Sequence, residues 1–147
     1  MTNFEQELET HGSIIYTNRG VSMLPLLRQT RDVLVIEKRG DGRCRKYDAV
    51  LFKRDNGQYI LHRILKLLDG GYYIVGDNCV EGEFVREEQV LGVLRSVRRG
   101  GKTIQVTDPG YRFYVRVLRP IHRALIRPRR FLRRCGSFVK RRVLRIK

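Results

Sequence analysis

No two cysteines of this chain stand at C-x-x-C spacing, and no histidine lies close enough to any of them to complete a zinc motif. Cys44, Cys79 and Cys135 are odd in number and far apart, which argues against a disulfide framework and for reduced thiols in a cytosolic setting. No metal and no cofactor is expected. No window approaches the roughly 18 uninterrupted apolar residues that a membrane-spanning helix needs. The opening MTNFEQELETHG lacks both the basic start and the apolar run of a secretory signal. The expectation is therefore a cytoplasmic protein without a leader or anchor, peripheral to a membrane at most. Internal repeats and low-complexity linkers are also missing.

Carboxylates are missing from one region only. Residues 112–147 hold 14 Lys+Arg and no Asp or Glu, while residues 1–111 hold 17 against 15, so nearly all of the formal net charge of +16 sits in the tail. A chain of 147 residues has room for one modest core, and a second independent domain is not expected. The 41% hydrophobic and 31% charged content suits a globular protein.

What is present begins with one short helix, Phe4 to His11, capped by Thr2 or Asn3 and stopped by Gly12. The period then changes. Short runs rich in Val, Ile, Leu and Tyr read as strands over Ser13–Tyr16, Asp32–Lys38, Ala49–Lys53, Tyr59–Leu67, Tyr72–Val75, Val90–Val97 and Thr103–Val106. Turn signals fall at Arg39-Gly40-Asp41-Gly42, Asp55-Asn56-Gly57, Asp69-Gly70-Gly71 and Arg99-Gly100-Gly101, the second and third fitting hairpins. The body is mainly antiparallel β. Beyond Asp108-Pro109-Gly110 the spacing turns helical, with Phe113, Val117, Ile121 and Leu125 on one stripe and arginines on others. Pro120 and Pro128 are expected to kink or divide that helix. A second amphipathic piece carries Leu132, Cys135, Val139 and Val143.

Three short segments bear groups capable of chemistry. Ser22 lies in Gly20-Val21-Ser22-Met23-Leu24-Pro25, where Gly20 and Pro25 bracket a loop that holds a hydroxyl exposed. Serine needs a base within hydrogen-bond reach to act as a nucleophile near neutral pH. His62 lies in the strand Tyr59–Leu67, and imidazole titrates where proton transfer is useful. Asp77 follows a strand in Gly76-Asp77-Asn78, and a carboxylate there is able to orient an imidazole. Taken singly, each has an ordinary explanation: a loop serine, a half-buried histidine bonded to backbone, a turn former. His11 and His122 read as surface or packing residues.

Taken in order, the segments match a known pattern. Ser22-Met23-x-Pro25, the strand Asp32–Lys38, Lys46-Tyr47-Asp48-Ala49-Val50, His62-Arg63-Ile64, Gly76-Asp77-Asn78 and Val90-Leu91-Gly92-Val93-Leu94 together resemble the serine peptidase superfamily of signal peptidase I and the self-cleaving LexA-type repressors. The resemblance spans about residues 13–106 and implies a signal-peptidase/LexA-like antiparallel β fold over residues 1–110, followed by a basic helical tail over 111–147. A histidine in place of the bacterial lysine base is similar to the endoplasmic-reticulum, archaeal and SipW-like branch. That likeness implies Ser22 as nucleophile, His62 as general base and Asp77 as orienting acid. It also implies a further acid soon after the Gly-Asp-Asn motif, for which this chain offers Glu83, with Glu81 nearby, in place of aspartate. Gly20, Met23 and Pro25 would support the loop, the Ser22 amide would be the first oxyanion donor, and Arg63 would serve the scaffold. The implied partner is an extended segment of a peptide or precursor protein, added at a sheet edge. The N-terminal transmembrane anchor of signal peptidases is the clear departure. No Ala-Gly or Cys-Gly bond precedes Ser22, and Cys135-Gly136 lies on the wrong side for self-cleavage.

Arg112–Lys147 suits a helix lying on an anionic membrane, with arginines reaching for headgroups. The same charge would attract nucleic acid, although no recognised nucleic-acid motif accompanies it. Packing of Phe113, Val117 and Ile121 on the β body is the third reading. The rival to a peptidase is thus a non-catalytic β domain whose tail binds nucleic acid or lipid.

Overall fold

A computed structural model describes residues 3–128. Helix α1 (Phe4–His11) starts where the Asn3 side chain accepts the Glu5 N–H at 3.2 Å. It ends at Gly12, whose φ of 70° lets its N–H reach the Leu8 carbonyl. Only Leu8 of this helix is fully buried, so α1 is a lid on the body rather than a core element.

Eight strands follow: β1 (Ser13–Thr17), β2 (Val33–Lys38), β3 (Ala49–Lys53), β4 (Tyr59–Leu68), β5 (Gly71–Val75), β6 (Glu83–Arg86), β7 (Val90–Arg99) and β8 (Lys102–Gln105). They make one antiparallel sheet in the order β1-β2-β7-β3-β4-β5-β6, with β8 on β7, curled into a half-barrel. Register shifts at Val35/Ile36, Leu51/Phe52 and Ile64/Lys66 bend the strands and help the sheet to curl. Both expected hairpins form, β3–β4 through Asp55-Asn56-Gly57 and β4–β5 through Asp69-Gly70. Strand β6 has no counterpart in the sequence reading. Its four residues EFVR bury only Val85 and leave Phe84 exposed, too short an alternation to stand out.

Strand β7 is the hub. Gly92–Arg98 pairs with β2 on one side, while Val90–Val93 pairs with β3 and Ser96–Arg99 with β8 on the other. Because β2 and β3 flank β7, the connection over residues 39–48 passes across it. One core cluster joins Leu8, Met23, Leu27, Leu34, Leu94, Tyr111 and Val115, and a second joins Phe52, Ile64, Tyr72, Ile74 and Val85. Full burial of a Leu, Ile or Phe side chain contributes about 1.5–3 kcal/mol each, so these clusters hold the curl.

After β8, α2 (Pro109–Phe113) leads into a π-helical turn, Tyr114–Leu118, and residues 119–128 continue as helix. Pro120 does not divide the helix. Proline lacks the donor for the Arg116 carbonyl and its ring crowds that group. The preceding turn opens instead, with the Arg119 N–H bonding to Tyr114 O five residues back. The amphipathic piece around Leu132, Cys135, Val139 and Val143, with most of the basic tail, lies outside the described residues.

Candidate functional site

Ser22 sits half-exposed in the loop between β1 and β2. Two anchors fix that loop. Asn18 is buried and donates through Nδ2 to the Gly20 carbonyl at 3.2 Å, while its backbone N–H reaches Asp32 O. Asp32, wholly buried, accepts the Arg28 N–H at 2.7 Å and both Nε and a terminal nitrogen of Arg99, whose guanidinium also donates to Leu26 O. Burial alone would raise the Asp32 pKa, but Arg99 and the Arg28 N–H outweigh it and hold the carboxyl below its ordinary range. Met23 is buried beneath the loop with its sulfur accepting the Asp77 N–H at 3.5 Å, and the Leu24–Pro25 bond is cis.

His62 points from β4, directly opposite Val50 of β3, and is buried beside the Phe52 ring at 6.2 Å. Strand β5 ends at Val75, opposite Arg63, and the chain turns at Gly76-Asp77-Asn78-Cys79, closed by Cys79 N–H to Gly76 O at 2.9 Å. This turn meets the serine loop. Asn78 N–H donates to Ser22 O at 2.7 Å, and Asn78 Nδ2 to Val21 O at 3.1 Å. A Cβ on Gly76 would lie 2.7 Å from Ser22 O, 2.7 Å from Cys79 Sγ and 3.0 Å from His62 Nε2. The serine backbone and the imidazole thus converge over one bare glycine.

The two candidate acids occupy different places. Glu83, on β6, puts Oε1 4.0 Å from His62 Nδ1, and Arg54 grips the same carboxylate through Nε at 2.8 Å and a terminal nitrogen at 2.5 Å. Both oxygens of Asp77 accept from Arg63 instead, at 2.9 and 2.8 Å, with pair and surroundings buried. Arg63 also donates to Tyr47 O at 2.9 Å and to the Tyr111 hydroxyl at 3.2 Å, tying β4, the 39–48 connection and α2 together. Tyr47 holds φ at 78°, a left-handed conformation that costs a bulky residue about 1–3 kcal/mol, and its carbonyl goes to Arg63. Glu81 is exposed in the loop before β6.

Burial lowers the His62 pKa from its ordinary 6.5, Arg54 lowers it further, and Glu83 and Asp77 pull the other way without winning. The imidazole is therefore neutral near pH 7, the form that accepts a proton. Its folded-state pKa lies below the unfolded one. Its contribution to stability is present above 6.5 and is lost as pH falls through the folded-state value. A proton NMR titration, with His62→Gln to assign the resonance, is expected to give a midpoint below 6.5; a midpoint above it would contradict this environment.

Several residues here carried no sequence signal. Arg54 lies in a turn, and Asp32 and Arg99 lie 67 residues apart. His122, read as a surface or packing residue, reaches Asn78 Oδ1 with Nε2 at 3.4 Å, and Arg123 donates to Val80 O at 3.1 Å. The C-terminal helix is thereby fastened to the loop beside Ser22.

No family model matches this chain, and no curated protein matches it.

Proposed function

We propose that the protein is a serine endopeptidase that hydrolyses a peptide bond in a precursor peptide or protein. The observation that carries this reading is the convergence of the Ser22 backbone carbonyl and His62 Nε2 over Gly76, which brings the serine loop against the imidazole, with Glu83 on the Nδ1 side of the ring. In this mechanism Ser22 Oγ attacks the substrate carbonyl, and His62 Nε2 takes the hydroxyl proton and passes it to the leaving amine. Water then attacks the acyl-enzyme while His62 Nε2 takes its proton, and Nε2 returns a proton to Ser22 Oγ as the acyl–oxygen bond breaks and the carboxylic acid product leaves. Glu83, steadied by Arg54, faces Nδ1 and stabilises the transient imidazolium. Asp77 works through Arg63 as a positioning residue, holding the turn that carries Gly76. The Ser22 N–H is the first donor to the developing oxyanion.

The strand edges support an extended substrate. Residues Tyr59–His62 pair with β3, whereas β5 joins β4 only from Arg63 onward. Phe4 packs edge-on to both Tyr16 of β1 and Tyr59 of β4, at 5.5 and 5.0 Å, so these two strands face each other across one ring. A peptide strand added beside β1 or the start of β4 would run past His62.

Mass spectrometry of candidate precursors incubated with wild type and Ser22→Ala tests the reading. Cleavage by the wild type alone is expected, and equal processing by both would overturn it. The pH dependence follows from the neutral histidine. Activity should persist below pH 6.5 and fall only as His62 finally protonates, so an acid limb centred above 6.5 would contradict the assignment. Gly76→Ala is a third test. Its methyl group would meet the Ser22 carbonyl and Cys79 Sγ at 2.7 Å and press on His62 Nε2. A displacement near 1 Å costs on the order of 10²-fold in rate, so kcat/KM should drop by about that factor, and an unchanged kcat/KM would contradict the packing.

A further inference from the structure

The C-terminal helix turns two unlike faces to its surroundings. Tyr111, Tyr114, Val115 and Arg119 are buried against the body, and Arg119 stacks on the Tyr47 ring at 5.4 Å. The stripe read from the sequence as a packing candidate lies on the other side. Phe113, Val117, Ile121 and Leu125 of that stripe, and Leu118 in addition to them, are each 42–58% exposed. An apolar stripe of this length on a helix rich in arginine has no energetic reason to face water alone.

A cationic cavity of about 530 Å³ adjoins that helix, between it, the 39–48 connection and β7. Arg112 and Arg116 line it from the helix, one residue from Phe113 and Val117, and Arg45 and Lys46 line it from the connection. Asp48 is the single carboxylate in its wall, with Oδ2 already accepting the Arg45 N–H.

We propose that the exposed stripe, together with the cationic cavity mouth that Arg112 and Arg116 flank beside it, docks the protein on an anionic lipid bilayer. The apolar stripe enters the headgroup–acyl boundary while the cavity takes a lipid phosphate. The two features select the occupant together. Cations alone would suit any polyanion, but a nucleic-acid backbone offers no continuous apolar surface to the exposed Val117, Leu118, Ile121 and Leu125 side chains. A bilayer takes both. Among the described residues no helix is long and apolar enough to cross a membrane, so this helix lies on the surface. Through His122 and Arg123 it holds the loop beside Ser22, and docking brings that loop to the lipid surface. The proposal is independent of catalysis.

Flotation of the full chain with vesicles of phosphatidylcholine, with and without phosphatidylglycerol, tests it. Wild type and Ser22→Ala should float equally with anionic vesicles and stay unbound to neutral ones. Phe113→Ser/Ile121→Ser/Leu125→Ser alters side chains already exposed, and should weaken vesicle binding about tenfold or more with an unchanged circular dichroism spectrum. Arg45→Gln/Lys46→Gln/Arg112→Gln/Arg116→Gln should lose binding to a similar degree. The residues beyond 128 are common to all variants, so the differences report this face. Stripe variants that float like wild type would overturn the proposal. So would a wild type that ignores anionic vesicles yet binds a DNA oligonucleotide.

Discussion

Asp77→Ala is expected to lose about 3–5 kcal/mol of stability, because it strands the Arg63 guanidinium without its carboxylate in a fully buried place. That loss is a large part of the 5–15 kcal/mol by which domains are ordinarily stable. Arg63→Lys should also be costly, since an ammonium cannot serve two carboxylate oxygens, Tyr47 O and the Tyr111 hydroxyl in the same plane. Urea unfolding is the measurement: the midpoint falls while the slope stays constant. The outcome also separates two roles for Asp77. If it served mainly as the imidazole's partner, alanine there would remove activity and leave the midpoint nearly unchanged.

The largest effect on rate is expected at Ser22 and His62. Removing the nucleophile or the base of a connected proton path costs on the order of 10⁶-fold in kcat, and the second removal adds little to the first. Ser22→Ala, His62→Ala and the double variant should thus share one residual rate. Ser22 lies half-exposed in a loop pinned by Asp32 and Arg99, so its hydroxyl is absent from the core and the variant should melt like the wild type. Glu83→Gln should be milder, since the longer acid stands 4.0 Å from Nδ1 and shares its charge with Arg54. Losses that multiply between Ser22→Ala and His62→Ala in steady-state kinetics would mean the two groups act separately.

Most of the body was legible because strand alternation and turn chemistry act locally. The α1 cap and stop, seven of the strands and both hairpins follow from neighbouring residues. What escaped depends on contacts between distant segments. Strand β6 exists because β5 offers an edge, not because EFVR demands a strand. Pro120 signals a kinked or divided helix in isolation, but Tyr111, Val115 and Arg119 are buried against the body and a π turn opens ahead of the proline, so the helix is not divided. At the site, the order of motifs named Ser22, His62, Asp77 and Glu83, yet only folding decides which acid meets which cation. Arg63 immediately follows His62, and alternation along β4 sends its side chain to the opposite face, where Asp77 meets it. The imidazole side is left to Glu83 and Arg54. The apolar stripe of the C-terminal helix was visible as a stripe, but its direction was not, since the same spacing serves core and surface alike.

The central claim is that His62 activates the Ser22 hydroxyl, and it is open to test without knowing the substrate. Intact-protein mass spectrometry after incubation with a serine-directed phosphonate ester measures it directly. One adduct is predicted, on Ser22, forming in step with the deprotonation of His62 and missing from both Ser22→Ala and His62→Ala. An unmodified wild type, or an adduct that forms as fast without the imidazole, would contradict the account.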